Sequence, residues 1–162
     1  MKAQETFFPQ AGRAEVGEIE IPDPAPAEVQ VRCVANGICM LETSVFSGAE
    51  SLSTLPLPGH EGVGVVVKVG REVEGLEEGD WVLCNSWRTL QHCKANRERQ
   101  AMKLSEAQRD AATFLVEPAA CVVTALRAYE VAPGDRVLIL GAGFMGLSAS
   151  HPAHYAQGVL KF

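Results

Sequence analysis

Four side chains of the kinds that bind zinc are spread along the chain: Cys39, His60, Glu61 and Glu117. Zinc in proteins takes thiolate, imidazole and carboxylate ligands, and a catalytic site uses three of them beside one open position. A metal held in this way polarises an alcohol or carbonyl oxygen and stabilises negative charge on it. The spacings of 21 residues from Cys39 to His60 and of 56 from Glu61 to Glu117 resemble no zinc finger, so a folded barrel would have to bring these residues together.

These residue types alone leave other interpretations open. Cys39 could be an inert buried thiol, and His60 could bond backbone groups within a turn. Glu117 could simply cap a helix that begins at Pro118.

A second candidate site is the glycine-rich run GAGFMG, residues 141–146, which follows the apolar run 136–140. Gly141 permits a tight turn, Gly143 lets a pyrophosphate approach the backbone, and Gly146 lets the helix pack on the strand. The helix N-terminus then offers N–H groups and partial positive charge to the phosphates. The predicted cofactor-binding residues are Gly141, Gly143, Phe144, Met145 and Gly146. Too few residues follow for the rest of a βαβ unit of about 30, so NAD or NADP binding needs residues missing from this chain.

The elements that position these residues divide into two groups. Apolar alternation at residues 29–33, the valine run 63–69 and the short run 81–84 predict strands, and their Gly and Pro punctuation predicts a small β-barrel. From residue 105 the pattern predicts a helix to about residue 116 and a second helix over 119–130. The apolar run 136–140 predicts a buried parallel strand. Strands are therefore expected before residue 105, and helices with one buried strand are expected after it.

The composition of the chain disfavours several classes of binding partner. The formal net charge of -6 disfavours nucleic acid, which binds basic surfaces. Neither a signal peptide nor an apolar run of eighteen residues is present, so we expect no membrane segment. Five cysteines at irregular spacing predict reduced thiols in a cytoplasmic protein.

Several runs together resemble the zinc-containing alcohol and polyol dehydrogenases of the medium-chain dehydrogenase/reductase family. The runs are PGHEGVG (58–64), GIC (37–39), GDWV (79–82), EPAAC (117–121) and PGDRV (133–137). The resemblance covers about residues 1–148 in order. It implies a mostly β fold with helices, in which a GroES-like β-barrel is followed by a truncated α/β Rossmann beginning. The resemblance implies that the GroES-like domain covers residues 1–132 and includes hinge helices. The first strand, glycine loop and partial helix of the Rossmann domain would cover residues 133–162. It also implies catalytic zinc on Cys39 and His60, with Glu61 or Glu117 completing or exchanging at the site.

Three departures from the family pattern bear on function. Leu41 stands where the family usually has the hydroxyl of a proton relay, and Glu42 stands where it usually has an aspartate. Glu42 could still support His60, although with a longer reach. Between Trp81 and Lys103 only Cys84 and Cys93 are present, so we predict no structural zinc. Residues 150–155 do not continue the crossover helix in the family pattern, and His151 and His154 there are expected in a tail.

The resulting prediction is an NAD(P)-dependent oxidoreductase that converts a small-molecule alcohol to an aldehyde or ketone, in a truncated form that is not active alone. One alternative is a zinc-independent reductase of the same superfamily that acts on enones or quinones. Another is a non-catalytic GroES-like module that binds a partner through its open sheet edges. Such edges could also pair copies of the chain into a homo-oligomer.

Overall fold

A computed structural model describes residues 1–51, 59–84, 90–94, 101–104, 110–128 and 138–150. The chain forms two compact units, Met1–Leu115 and Val116–Phe162, and each is described by itself. The elements of the first unit are β1 (Lys2–Gln10), β2 (Arg13–Glu20), β3 (Glu28–Asn36), α1 (Met40–Ser47), β4 (Gly62–Val69), β5 (Trp81–Cys84), β6 (Leu90–Lys94), β7 (Met102–Lys103) and a 3-10 helix (Ala111–Phe114). Those of the second unit are α2 (Glu117–Ala128) and α3 (Phe144–Ser150).

Strands dominate the first unit, which confirms the expected mostly β fold. β6, β3, β4, β5 and β7 lie side by side in that order, and every neighbouring pair is antiparallel. The three predicted strands correspond to β3, β4 and β5. Their valines form the core, since Val29, Val31, Val66 and Val82 are buried together with Cys84. Each such side chain contributes roughly 1.5–3 kcal/mol when it leaves water.

Glycines in the central strand β4 allow its neighbours to come close. A Cβ at Gly64 would stand 2.6 Å from Val31 Cγ1, and a Cβ at Gly62 would stand 2.9 Å from Asn36 Nδ2. The β3–β4 register shifts between Cys33 and Ala35, opposite Gly64 and Val63. A bulge in the partner strand β3 therefore lies opposite these glycines.

An N-terminal hairpin that the sequence pattern did not predict is formed by β1 and β2. The two strands pair from Lys2 opposite Glu20 to Gln10 opposite Arg13, and Gly12 makes the turn with a left-handed φ of 74°. At the open end, the terminal amine of Met1 donates to the Ile21 carbonyl over 2.6 Å. Ala3 and Ile21 are buried there against Ile19 and Val67, so the hairpin has a small apolar anchor of its own.

The second unit agrees with one helix prediction and corrects the strand prediction. α2 begins at Glu117 and carries Pro118 in its first turn, where proline costs no intrahelical hydrogen bond. Leu138–Leu140 form no strand, with Leu138 82% and Leu140 88% exposed, so the expectation of a buried strand is wrong for these residues. A parallel strand is stabilised by neighbouring strands on its ladder, and the described residues of this unit contain none.

Of the helix predicted over 105–116, the described residues 110–116 contain the short 3-10 helix Ala111–Phe114, and the predicted start at residues 105–109 lies outside the described residues. Residues 129–137 and the predicted tail from His151 onward also lie outside them. Among the helices described, none has the length and apolar character needed to cross a membrane.

Candidate metal centre and glycine loop

Cys39, His60 and Glu61 are brought to the same end of the central sheet by β3 and β4. The last paired residues of these strands are Asn36 and Gly62. Cys39 follows Asn36 by three positions, and His60 and Glu61 lead directly into Gly62. The backbone N–H of Gly37 donates to the Glu61 carbonyl over 2.8 Å, which extends the pairing one step beyond the ladder.

Cys39 is also the N-cap residue of α1. Its Sγ accepts a hydrogen bond from the Leu41 N–H over 3.2 Å, and its own N–H donates to Glu42 Oε2 over 2.9 Å. Together with a contact from the third helical N–H to Sγ, these bonds form a reciprocal capping box. The thiol is thereby held at the start of a helix with its sulfur directed at the helix N-terminus.

His60 lies between Cys39 and Glu42. Its Nε2 is 3.4 Å from Cys39 Sγ, and its Nδ1 is 2.8 Å from Glu42 Oε1. The expectation that Glu42 can reach His60 is thus confirmed. Because an ionised carboxylate only accepts hydrogen bonds, the His60 proton belongs on Nδ1, and Nε2 presents its lone pair towards the sulfur.

Glu42 is 1% exposed, and the desolvation of such a buried carboxylate must be offset by hydrogen bonds or an opposite charge. Burial raises its pKa, but hydrogen bonds from the Cys39 side chain and from the Cys39 and Gly59 amides outweigh burial, so the net pKa is lowered. The Gly59 N–H donates to Oε1 over 3.1 Å. Glu42 therefore stays ionised at neutral pH. Burial and the neighbouring Glu42 carboxylate raise the pKa of the Cys39 thiol in the metal-free chain.

The arrangement fits a tetrahedral metal. Zn–S and Zn–N bonds of ~2.3 and ~2.1 Å at a tetrahedral angle place sulfur and nitrogen ~3.6 Å apart, close to the 3.4 Å between Cys39 Sγ and His60 Nε2. Ligand atoms of Cys39, Glu42 and His60 all lie within 4.8 Å of one another. Both Glu42 oxygens already accept hydrogen bonds, which suits Glu42 to orienting the ligands. Glu61, the predicted third ligand, places its Oε1 4.0 Å from His60 Nε2.

Glu117, the remaining predicted ligand, opens α2 in the second unit. Within that helix the Cys121 thiol donates to Glu117 Oε1 over 3.0 Å, one turn along. The role of Glu117 at a metal stays a prediction. Of the two cysteines considered for structural zinc, Cys84 is buried in the core, and the side chain of Cys93 lies outside the described residues.

The sequence reasoning missed α1 and the full set of contacts that Glu42 makes. The signal was present in the chain, because Cys39 and Glu42 have the spacing of a capping box. It is hidden by the cap residue itself, since cysteine is not among the side chains that commonly cap helices.

The glycine-rich run 141–146, here called the glycine loop, adopts some of the backbone geometry that the sequence predicts. Gly141 has a left-handed φ of 112°, and α3 starts at Phe144 with the Leu147 N–H donating to the Gly143 carbonyl over 2.9 Å. A Cβ at Gly146 would run into the Gly141 carbonyl, whereas a Cβ at Gly143 would meet nothing within 4 Å. Gly146 thus closes the loop and Gly143 leaves its surface open. Phe144 and Met145 are exposed. Cofactor binding by the loop stays a prediction.

Comparison with known proteins places these features in a family context. The family model of the alcohol dehydrogenase GroES-like domain matches residues 25–115. An alcohol dehydrogenase of Rhizobium meliloti is 31% identical over 81% of this chain and 48% of its own length. An L-threonine 3-dehydrogenase of Pyrococcus abyssi is 35% identical over 54% of this chain and 26% of its own length.

Among solved structures, the cobalt- and zinc-bound thermostable alcohol dehydrogenase of Pyrobaculum aerophilum superposes with a TM-score of 0.75. Its sequence is 24% identical, and the match covers 98% of this chain and 58% of that one. At this identity the likeness concerns the fold. The chain spans about half the length of the Rhizobium relative and of this structure.

Proposed function

Since the chain belongs to the zinc-type medium-chain dehydrogenase family through its alcohol dehydrogenase GroES-like domain, we propose that it is the front part of an NAD(P)-dependent oxidoreductase. The reaction is hydride transfer between a small-molecule alcohol and its aldehyde or ketone. The 162 residues span about half the length of the related alcohol dehydrogenase. Residues 1–132 form the metal-binding domain, and 133–162 begin the cofactor domain.

The observation that carries this proposal is the 3.4 Å separation of Cys39 Sγ and His60 Nε2, with the far side of the imidazole bonded to a buried carboxylate. Zinc binds a cysteine thiolate and a neutral, oriented imidazole as two of its ligands. The second nitrogen of such an imidazole commonly donates a hydrogen bond to a carboxylate. Cys39 and His60 would hold the metal with Glu61, and Glu117 could complete or exchange with that set.

Zinc bound here would supply a Lewis acid for the alcohol oxygen. The chain's own residues do the rest. Glu42 fixes the His60 tautomer through Nδ1 and fixes the start of α1 through the Cys39 N–H. Leu41 has no hydroxyl, so we propose that the alcohol proton passes to water rather than to a side chain at this position.

The glycine loop would receive the nicotinamide dinucleotide, with Gly143 as the closest approach for its pyrophosphate. The open direction at Gly143 supports this assignment. The acidic net charge supports a small-molecule substrate rather than nucleic acid as the partner. A cytoplasmic location, and pairing of copies through sheet edges, are proposed with it.

One observation favours a second candidate, the zinc-independent reductase of enones or quinones. Leu41 removes the hydroxyl that alcohol oxidation in the family uses, and an apolar side chain beside Cys39 suits a substrate that needs no proton relay. In this alternative the Cys39–His60 pair holds no metal.

Metal analysis of the purified chain separates the two candidates. We expect about one zinc per chain, lost in Cys39→Ser and in His60→Ala. Cys33→Ala, which alters another free thiol on the neighbouring strand β3, is the matched control and should retain the metal. Well-folded wild-type chain without zinc would reject the alcohol dehydrogenase proposal in favour of the metal-free reductase.

A further inference from the structure

The tip of the β1–β2 hairpin contacts the last turn of α1, the helix that begins at Cys39. The Gly12 N–H donates to the Phe46 carbonyl over 2.6 Å. The Phe8 and Phe46 rings meet edge to face, with centroids 5.6 Å apart and planes at 67°. A Cβ added at Gly48, the C-cap residue, would lie 2.9 Å from Ala11 Cβ. Three independent contacts therefore converge on one end of the helix.

Within the part of the chain that the structure describes, little of α1 is buried. It is eight residues long, and only Glu42 and Val45 are buried. An isolated helix of this length is unstable in water, so its position depends on its caps and on tertiary packing. One of its two buried side chains is the carboxylate already bonded to His60 and to the Cys39 and Gly59 amides. The contacts of its last turn with the hairpin add to this support.

The two ends of α1 move together because eight residues of helix form a rigid rod of about 12 Å. At the first end Cys39 Sγ faces His60, which belongs to a different segment, the approach to β4. A tilt of α1 about Val45 would therefore change the distance between sulfur and nitrogen. Metal ligands tolerate deviations of only about 0.2 Å.

We infer that the hairpin tip is a positioning device for the candidate metal centre: Phe8 and Gly12 fix the last turn of α1, and the helix transmits that position to Cys39 and Glu42. The role of the hairpin at a metal rests on the proposed metal function. The contact between the hairpin and α1 does not depend on a metal, so the positioning of α1 and the binding of a metal can be tested separately.

The test compares three hairpin variants in the 162-residue chain. Phe8→Leu removes the ring contact, Phe8→Tyr keeps it, and Ile19→Val weakens the hairpin at its other end, beside Ala3 and Ile21. In the metal-free chain we follow hydrogen exchange of the Cys39 and Gly59 amides, which both donate to Glu42. Because an aromatic pair is worth about two- to twelvefold in a local equilibrium, Phe8→Leu should speed exchange of both amides by about that factor.

Phe8→Tyr should restore wild-type exchange, and Ile19→Val should leave these two amides unchanged at a similar loss of thermal stability. If Phe8→Leu proves poorly folded, Phe46→Leu removes the same contact from an exposed position on the helix side. Equal exchange rates in Phe8→Leu and Ile19→Val would overturn the inference.

Cobalt(II) binding then tests whether the contact between the hairpin and α1 affects the metal site. Phe8→Leu should weaken cobalt affinity and shift the thiolate-to-cobalt absorption band, whereas Ile19→Val should change neither. Unaltered cobalt affinity and absorption in Phe8→Leu would overturn the positioning role. A wild-type chain that binds no cobalt would reject the metal proposal, and the amide exchange rates would still decide whether the hairpin positions α1.

Discussion

His60 Nδ1 lies 2.8 Å from Glu42 Oε1, and Glu42 is the most deeply buried carboxylate of the described residues. An aspartate at position 42 would be one methylene shorter. The longer side chain of Glu42 accepts hydrogen bonds from the Gly59 amide at Oε1 and from the Cys39 amide at Oε2, in addition to its contact with the imidazole. The residue that departs from the family pattern thereby joins both ligand-bearing segments.

Replacing Glu42 by glutamine should weaken both the metal site and the fold. The amide must direct a donor at either His60 or one of the backbone N–H groups, which leaves a buried donor unsatisfied. We expect zinc affinity to fall about 10- to 100-fold and the free energy of unfolding to fall by roughly 1–3 kcal/mol. A competition assay with a chromophoric chelator and chemical denaturation measure the two effects. Glu50→Gln, an exposed carboxylate just past α1, is the control; equal zinc affinities in the two variants would contradict the role of Glu42.

Gly37 is packed against the Glu61 side chain. A Cβ at position 37 would lie 3.1 Å from Glu61 Cβ and 3.2 Å from its carboxyl carbon. Gly37→Ala should therefore displace Glu61, with a loss of about 1–3 kcal/mol in unfolding free energy and weaker zinc binding. Gly143→Ala, where the added methyl meets nothing within 4 Å, should leave the free energy of unfolding unchanged. Unaltered zinc affinity in Gly37→Ala would remove Glu61 from the ligand set.

Asp80 should make the fold sensitive to acid. Burial raises its pKa, but the Lys103 ammonium at 2.7 Å and the Glu77 amide at 2.9 Å outweigh burial, so the net pKa is lowered. A lowered pKa in the folded chain stabilises the fold above the unfolded pKa of about 3.9, and this contribution disappears as the pH falls through the folded value. Asp80→Asn should therefore be less stable than wild type at neutral pH, and the difference should shrink below pH of about 4.

Urea unfolding across pH 2–7 measures this difference. Glu78→Gln removes an exposed carboxylate from the same turn and should give a pH profile parallel to that of wild type. A constant gap between wild type and Asp80→Asn over the whole range would show that Asp80 does not act through its charge.

The glycine loop predicts opposite outcomes for two neighbouring substitutions. Gly146→Ala places a methyl on the Gly141 carbonyl, so the loop must open and the Leu147 amide should lose protection from hydrogen exchange. Gly143→Ala should keep that protection, because its methyl meets open space, yet it should weaken dinucleotide binding in a protein that carries the complete cofactor domain. Calorimetric titration with NADH and NADPH measures the second effect; full affinity in Gly143→Ala would remove this residue from the cofactor site.

Sequence patterns predicted the parts of the fold that are stabilised by repeated apolar side chains. β3 and β4 are rich in valine, and their register buries the same valines that the pattern selects. The hairpin was missed because its pattern is broken: Val16 and Ile19 fall on opposite phases of a strand. α1 was missed because Val45 is its single buried apolar side chain.

In the candidate site, too, the sequence predicted some features and missed others. Cys39, His60 and Glu61 were selected by residue type and family pattern, and the structure places them at one end of the β3–β4 ladder. The contacts that orient them could not be predicted, since they depend on the exact reach of Glu42 and on where Gly59 directs its amide. The strand predicted over 136–140 was wrong at Leu138–Leu140 because apolar composition alone does not supply a neighbouring strand.

Both ligand segments leave the sheet at the pair formed by Asn36 and Gly62. The predicted metal ligands can therefore meet only when β3 and β4 have paired in the native register. A slip of one residue would turn the side chains of one strand to the opposite face, and a slip of two would separate the ligand segments by about 6.6 Å. A chain slipped by two residues could still bury valines but could not hold an ion between Cys39 and His60. Zinc present during refolding should therefore act as a selector, enriching chains with the native alignment over compact misfolded competitors.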